Sequence, residues 1–193
     1  MRALPRRRGA TSPGVPVVSR RRRSWVAVQG RLSHADAMPR LPNFGPIGEL
    51  DVSEWIGEPP APTMAGVRGS VVAIEAFQML CPGCVTHGLP QAARLHRAFG
   101  RDVVVLGLHT VFEHHEVMGV EALRVFLAEF RIPFPVAVDR PRGMGLPVTM
   151  ERLGLEGTPT LLLVDRDGDV RFRGLGTVDD LALGVAVGTL VAA

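Results

Sequence analysis

Val71-Val72-Ala73-Ile74-Glu75-Ala76-Phe77-Gln78-Met79-Leu80-Cys81-Pro82-Gly83-Cys84 is the stretch on which the reading of this chain turns. Its first seven residues are apolar except Glu75, the pattern of a strand buried on both faces. Two cysteines separated by two residues follow, and they are the only cysteines of the chain. Beyond them Val85, Leu89, Ala92, Leu95 and Phe99 recur at close to helical spacing. The thiols therefore sit where a buried strand becomes a helix. A helix N-terminus supplies partial positive charge and free N–H groups, which favour thiolate over thiol. Pro82 suits the first turn, where its missing N–H has no intrahelical partner. The spacing brings the second sulfur close enough to close a small disulfide ring. Redox chemistry is what such a pair is placed to do.

Working outward, residues 84–99 read as a helix kinked by Pro90 and ended by Gly100. Residues 103–108 form a second buried strand, and 109–119 a loop. Residues 120–130 form an amphipathic helix with Leu123, Phe126, Leu127 and Phe130 on one face. A short strand at 134–138 ends at Asp139, and residues 148–153 read as a short helix closed by Gly154. Gly157-Thr158-Pro159-Thr160 introduces the apolar run Leu161-Leu162-Leu163-Val164. Asp165-Arg166-Asp167-Gly168 is a hairpin turn, since Asp-Gly supplies the positive φ that such turns need. Residues 170–173 return along a sheet edge, and 179–191 form a terminal helix capped within 177–180. The order β-α-β-α-β-α-β-β-α predicts an α/β fold. Right-handed crossovers give parallel strands, the final hairpin makes the central sheet mixed, and helices cover both faces.

The N-terminal part differs. Residues 1–45 are rich in Arg, Pro, Gly and Ser without a sustained period, and read as a disordered tail. Residues 46–65 read as an extended lead-in with Trp55 at the domain edge, and 66–193 as the folded domain. The net charge is +3, and all 22 basic residues are arginine. Arg6-Arg7-Arg8 and Arg20-Arg21-Arg22-Arg23 put seven of these in the tail. With 22 glycines and 16 prolines, this bias points to a high-GC genome more than to phosphate binding. No folded reader accompanies the arginines, so no nucleic-acid partner is expected. The apolar segment after Arg23 is soon interrupted by Gln29, Arg31, His34 and Asp36. It falls short of the roughly 7–15 residues of a secretory signal, so the expected location is cytoplasmic. No run reaches the roughly 18 apolar residues of a membrane span. Two cysteines make neither a disulfide framework nor, alone, a closed zinc site.

Cys81-Pro82-Gly83-Cys84 at a strand-to-helix junction, with Thr158-Pro159 before a later strand, resembles the thioredoxin-like superfamily. More narrowly it is similar to the redoxin branch, which holds bacterial thiol-disulfide oxidoreductases and alkyl hydroperoxide reductase/thiol-specific antioxidant proteins. The resemblance covers about residues 66–192 and implies a thioredoxin-like fold. It also implies the roles of single residues. Cys81 matches the nucleophile and Cys84 the resolving thiol. Pro159 matches the cis-proline facing them, and Thr158 the residue whose backbone meets substrate. Pro82 and Gly83 form the dipeptide that tunes the pair and borders the substrate. Glu75 stands where thioredoxins keep a buried carboxylate, which takes the resolving thiol's proton through water. Two departures stand out: the dipeptide is Pro-Gly where thioredoxin has Gly-Pro, and Leu80 replaces an aromatic residue.

The expected activity is thiol-disulfide exchange through a mixed disulfide, with no cofactor and no resident metal. Its partners would be a disulfide-containing protein or small thiol and an upstream reductase. Two alternatives stand beside it. A thiol peroxidase of the peroxiredoxin kind carries Pro and Thr or Ser seven and three residues before its cysteine. Here those positions hold Ile74 and Gln78 before Cys81, or Phe77 and Cys81 before Cys84. A non-catalytic module could instead hold a metal or partner through Cys81, Cys84 and the loop with His109, His114 and His115. For those histidines a solvated loop is the default reading. His87, three residues after Cys84, reads as a helix-surface residue able to face the thiols.

Overall fold

A run that is apolar at both parities needs cover on both faces, and the structure supplies it. The computed structural model describes residues 40–57 and 62–193; residues 1–39 of the expected tail and 58–61 of the lead-in lie outside the described residues. Strand β2 (Val71–Phe77) is buried along its whole length. Val71, Ala73 and Phe77 enter one core, and Val72, Ile74 and Ala76 the other. The first core is closed by helices α1 (Leu89–Phe99), α2 (Val120–Glu129) and α4 (Asp180–Ala192). They contribute Leu89, Leu95, Leu123, Leu127, Leu183, Val187 and Leu190. The second core is closed by Met150 of α3 (Val148–Arg152), with Leu155, Ile47 and Met64.

The sheet has six strands in the order β1-β4-β3-β2-β5-β6. Strands β2, β3 (Val103–His109) and β4 (Val136–Asp139) are mutually parallel, joined by α1 and α2. Strand β5 (Thr160–Val164) runs antiparallel to β2 and pairs with β6 (Val170–Leu175) as a hairpin. The mixed sheet with helices on both faces agrees with the sequence expectation. The hairpin turn is also as expected: Gly168 has φ +84° and donates its N–H to the Asp165 carbonyl. At the last helix, the Asp179 side chain accepts from the N–H groups of Leu181 and Ala182. Among the described residues, no helix is long and apolar enough to cross a membrane.

Four features differ from the sequence reading. The lead-in supplies a sixth strand, β1 (Val52–Ile56), antiparallel to β4 at the sheet edge. Residues 40–45, assigned to the disordered tail, are bonded to β6 along its outer side. Phe44 donates to the Val170 carbonyl, Val170 donates to Gly45, and the Arg171 guanidinium holds the carbonyls of Leu41 and Pro42. These backbone partners order a segment that no hydrophobic period marks. Pro90 lies at the start of α1 but inside a helical run that is continuous from Pro82, and that run meets it with a widened turn. Before it, Cys84–Gly88 forms one π-helical turn, in which Leu89 donates to the Cys84 carbonyl. A proline ring clashes with the carbonyl four residues back, here Thr86, and the wider turn accommodates it. Phe130, expected on the buried face of α2, is 53% exposed and stacks on Phe126 with ring centroids 4.4 Å apart.

Candidate active site

The dithiol lies at the C-terminal end of β2, the side of an open α/β sheet where ligands gather. Helical conformation starts at Pro82, leaving Cys81 as the residue that caps it. The Cys84 N–H donates to the Cys81 sulfur at 3.3 Å. A sulfur that receives an N–H of the first helical turn is better able to carry negative charge. The Cys81 thiol donates in turn to the Thr158 carbonyl at 3.4 Å. Cys81 is half-buried, Cys84 is fully buried, and both are free thiols. Burial, then contact with the Cys81 thiol, pushes the Cys84 thiol well above the ordinary range. One sulfur is reachable and supplied with a donor, and the other is withdrawn and protonated.

The Thr158–Pro159 peptide is cis. Its loop is held from both sides: Gly176 donates to the Pro159 carbonyl at 2.8 Å, and the Thr160 hydroxyl donates to Gly157 at 2.7 Å. Glu75 lies in the first core's parity, opposite Gly107 of β3 and Leu161 of β5. It is only 2% exposed, and its Oε1 is buried without a hydrogen-bond partner. Burial raises its carboxyl from 4.5 to about 8. Gly88, the last residue of the π-helical turn, covers it. A Cβ on Gly88 would stand 2.1 Å from Glu75 Oε1 and 2.8 Å from Pro159 Cβ. Only glycine lets this backbone close over the acid and the proline together. Gly83 also faces Pro159, where a Cβ would make a tight contact, 3.2 Å from its Cδ.

Around Cys81 opens a cleft of about 390 Å³, lined among others by Leu80, Pro82, Phe112, His114, Met118 and Thr158. Gln78 forms its inner corner and is 3% exposed. The Gln78 carbonyl accepts the Cys81 N–H, and its Oε1 accepts the N–H groups of Phe112 and Glu113 at 3.1 and 3.3 Å. Leu80, by contrast, is 56% exposed at the rim.

The site's geometry has clear counterparts among solved proteins. A crystal structure of a thioredoxin-like superfamily protein is 49% identical to this chain, covering 77% of it and 97% of its own length, with a TM-score of 0.75. The chain belongs to the thioredoxin-like superfamily. A thiol-disulfide isomerase from Corynebacterium glutamicum is 51% identical, with 78% of this chain and 98% of that one covered at a TM-score of 0.74. A thioredoxin-like protein solved in its oxidized form shares the fold at 20% identity, covering 77% and 95% of the two chains with a TM-score of 0.64. No protein-family model and no curated protein sequence matches the chain.

In this thioredoxin-like frame the structure brings Cys81, Cys84, Pro82, Gly83, Thr158 and Pro159 together around one sulfur, with Glu75 buried behind Gly88 and Pro159. It does not bring the histidines together. His109 is not a loop residue; it ends β3, is 1% exposed, and burial lowers its imidazole to about 4. His109 and His115 line a separate cavity of about 260 Å³, whereas His114 lines the dithiol cleft. Among the described residues no group of three or more His, Cys, Asp or Glu is placed to hold a metal. His87 is exposed in a third cleft with Gln91 and Asp179, its Nδ1 2.7 Å from the Thr86 hydroxyl. Sequence reasoning missed two residues of this thioredoxin-like site. Gly88 is one of 22 glycines, and only the π-helical turn gives it a special place. Gln78 carried a signal: it is the first polar residue after a buried strand, three before the half-buried Cys81.

Proposed function

We propose that this chain is a thiol-disulfide oxidoreductase that works through Cys81 and Cys84. One observation carries the reading: the half-buried Cys81 sulfur receives the Cys84 N–H, while Cys84 is fully buried one helical turn away. The Cys81 thiolate attacks one sulfur of a substrate disulfide. A Cys81–substrate bond forms, the substrate S–S bond breaks, and one substrate thiolate leaves and takes a proton. Cys84 then attacks the Cys81 sulfur, closing the Cys81–Cys84 disulfide and releasing the second substrate thiol. The substrate is reduced by two electrons and the pair is oxidised by two. A dithiol reductase upstream restores the pair by the reverse exchange.

Cys84 must lose its proton to become a nucleophile, and its burial resists this. Glu75 is the proposed acceptor, acting through water. Its raised pKa of about 8 leaves about one carboxylate in ten at pH 7, and makes that carboxylate a stronger base than an ordinary one. Thr158 and the cis-proline present the backbone edge beside Cys81, and Pro82 and Gly83 border the same approach. Substrates would be protein disulfides or small disulfides. The identities of the thiol-disulfide isomerase from Corynebacterium glutamicum and the thioredoxin-like superfamily protein support this reading.

The test is a trapping experiment. Cys84→Ser should accumulate a mixed disulfide between Cys81 and a model protein disulfide such as insulin, visible by non-reducing electrophoresis and cleared by dithiothreitol. Cys81→Ser should accumulate none. Equal trapping by both variants, or none by either, would overturn the proposal.

A further inference from the structure

Beside Gly157 and Thr158 of the cis-proline loop, the dithiol cleft has two walls of different origin. One is the CxxC turn itself, with Leu80 and Pro82. The other is the segment after β3, with Phe112, Glu113, His114 and Met118. The second wall lies in the long connection between β3 and α2, and inside it His114 adopts φ 51°. Its base is pinned to the sheet: Thr110 donates its N–H to the Phe77 carbonyl and its hydroxyl to Asp139. Further out, at the cleft, the wall's tie to the CxxC side is the Gln78 side chain. One oxygen receives two successive N–H groups, from Phe112 and Glu113. The same residue's carbonyl receives the Cys81 N–H. Gln78 thus joins the residue that carries the reacting sulfur to the wall that faces it.

We propose that Gln78 is a positioning residue for polypeptide disulfides: it fixes the Phe112 and Glu113 wall at the spacing such a substrate needs when its disulfide meets Cys81. The inference rests on the oxidoreductase reading and names the substrate class of that same site. A small disulfide needs only to reach the Cys81 sulfur. A polypeptide disulfide carries flanking residues that fill the cleft of about 390 Å³ and must lie against both walls. Misplacement of a wall therefore costs the large substrate orientation and leaves the small one unaffected.

Gln78→Ala removes the shared acceptor. Gln78→Glu keeps an oxygen for both N–H groups at nearly the same shape. Both variants are compared with the parent for reduction of insulin and of hydroxyethyl disulfide, with thermal unfolding and the pH profile of Cys81 alkylation as controls. The expected result for Gln78→Ala is a fall of about tenfold in kcat/KM for insulin, mostly in KM, and less than about twofold for hydroxyethyl disulfide. Gln78→Glu should recover most of the loss in insulin KM, and the alkylation profile of Gln78→Ala, which adds no charge, should not move. Equal losses on both substrates would overturn the proposal, as would an unchanged insulin KM or a failure of Gln78→Glu to rescue. If the parent reduces neither substrate, the oxidoreductase reading itself has failed, which is a separate outcome.

Discussion

Replacing Glu75 by Gln should make the protein more stable at neutral pH and a poorer catalyst. Burial raises the Glu75 carboxyl from 4.5 to about 8. Between these values the folded chain holds a proton that the unfolded chain has released. Stability from this group is complete below pH 4.5 and is lost as pH rises towards 8. Each pH unit in that window costs about 1.4 kcal/mol. At pH 7 the loss amounts to about 3 kcal/mol, rising to about 5 kcal/mol above pH 8. The amide introduced by Glu75→Gln mimics the protonated acid in shape and has no proton to lose. Urea unfolding of both reduced proteins from pH 4.5 to 8 should give curves that meet at the acid end and diverge steadily above it. The variant should lead by about 3 kcal/mol at pH 7, or several degrees in Tm for a chain of this size. Parallel curves across the whole range would refute the reasoning, since they would mean that the carboxyl titrates alike in both states. Turnover should fall in the same variant, because an amide cannot accept the Cys84 proton.

Gly88→Ala should destabilise the protein by about 1–3 kcal/mol, as overpacking does, because its Cβ meets both Glu75 Oε1 and Pro159 Cβ. Thermal unfolding measures this, and an unchanged Tm would show that the acid does not sit under this turn. Brief iodoacetamide treatment of the reduced native protein at pH 7 should alkylate Cys81 alone, since Cys84 is fully buried and its thiol is held protonated. Peptide mass spectrometry reads the site, and comparable labelling of Cys84 would contradict the burial argument.

The elements legible in the sequence are those whose physics is local. An unbroken apolar run names β2 as a central strand, whatever packs on it. Asp165 to Gly168 names its own turn, and Asp179 names its own helix start. The dithiol announced itself for the same reason, since its chemistry needs only a spacing and a helix start. Strand β1 was obscure because it is an edge strand with Glu54 in its middle, held by pairing to β4. Residues 40–45 were obscure because backbone bonds to β6 order them without any side-chain period. His109 looked like a loop residue because nothing local says that β3 runs one residue further into the core. The Gln78 side chain bonds to partners 34 and 35 residues away, a contact that no local pattern encodes.

The π-helical turn of Cys84–Gly88 has a consequence in residue counting. Such a turn is an α-turn carrying one extra residue, so it acts as a single-residue insertion absorbed inside a helix. Deleting one residue among Val85, Thr86 and His87 would let the backbone regularise into plain α-helix. The wider turn already absorbs the extra residue, so the residues on either side would keep their phase. Cys84 at the dithiol and Leu89 and Leu95 in the core could then both stay where they are. What the extra residue sets is thus local: it widens the turn that lays Gly88 over Glu75 and Pro159, so its loss should disturb that cover while leaving α1 in place.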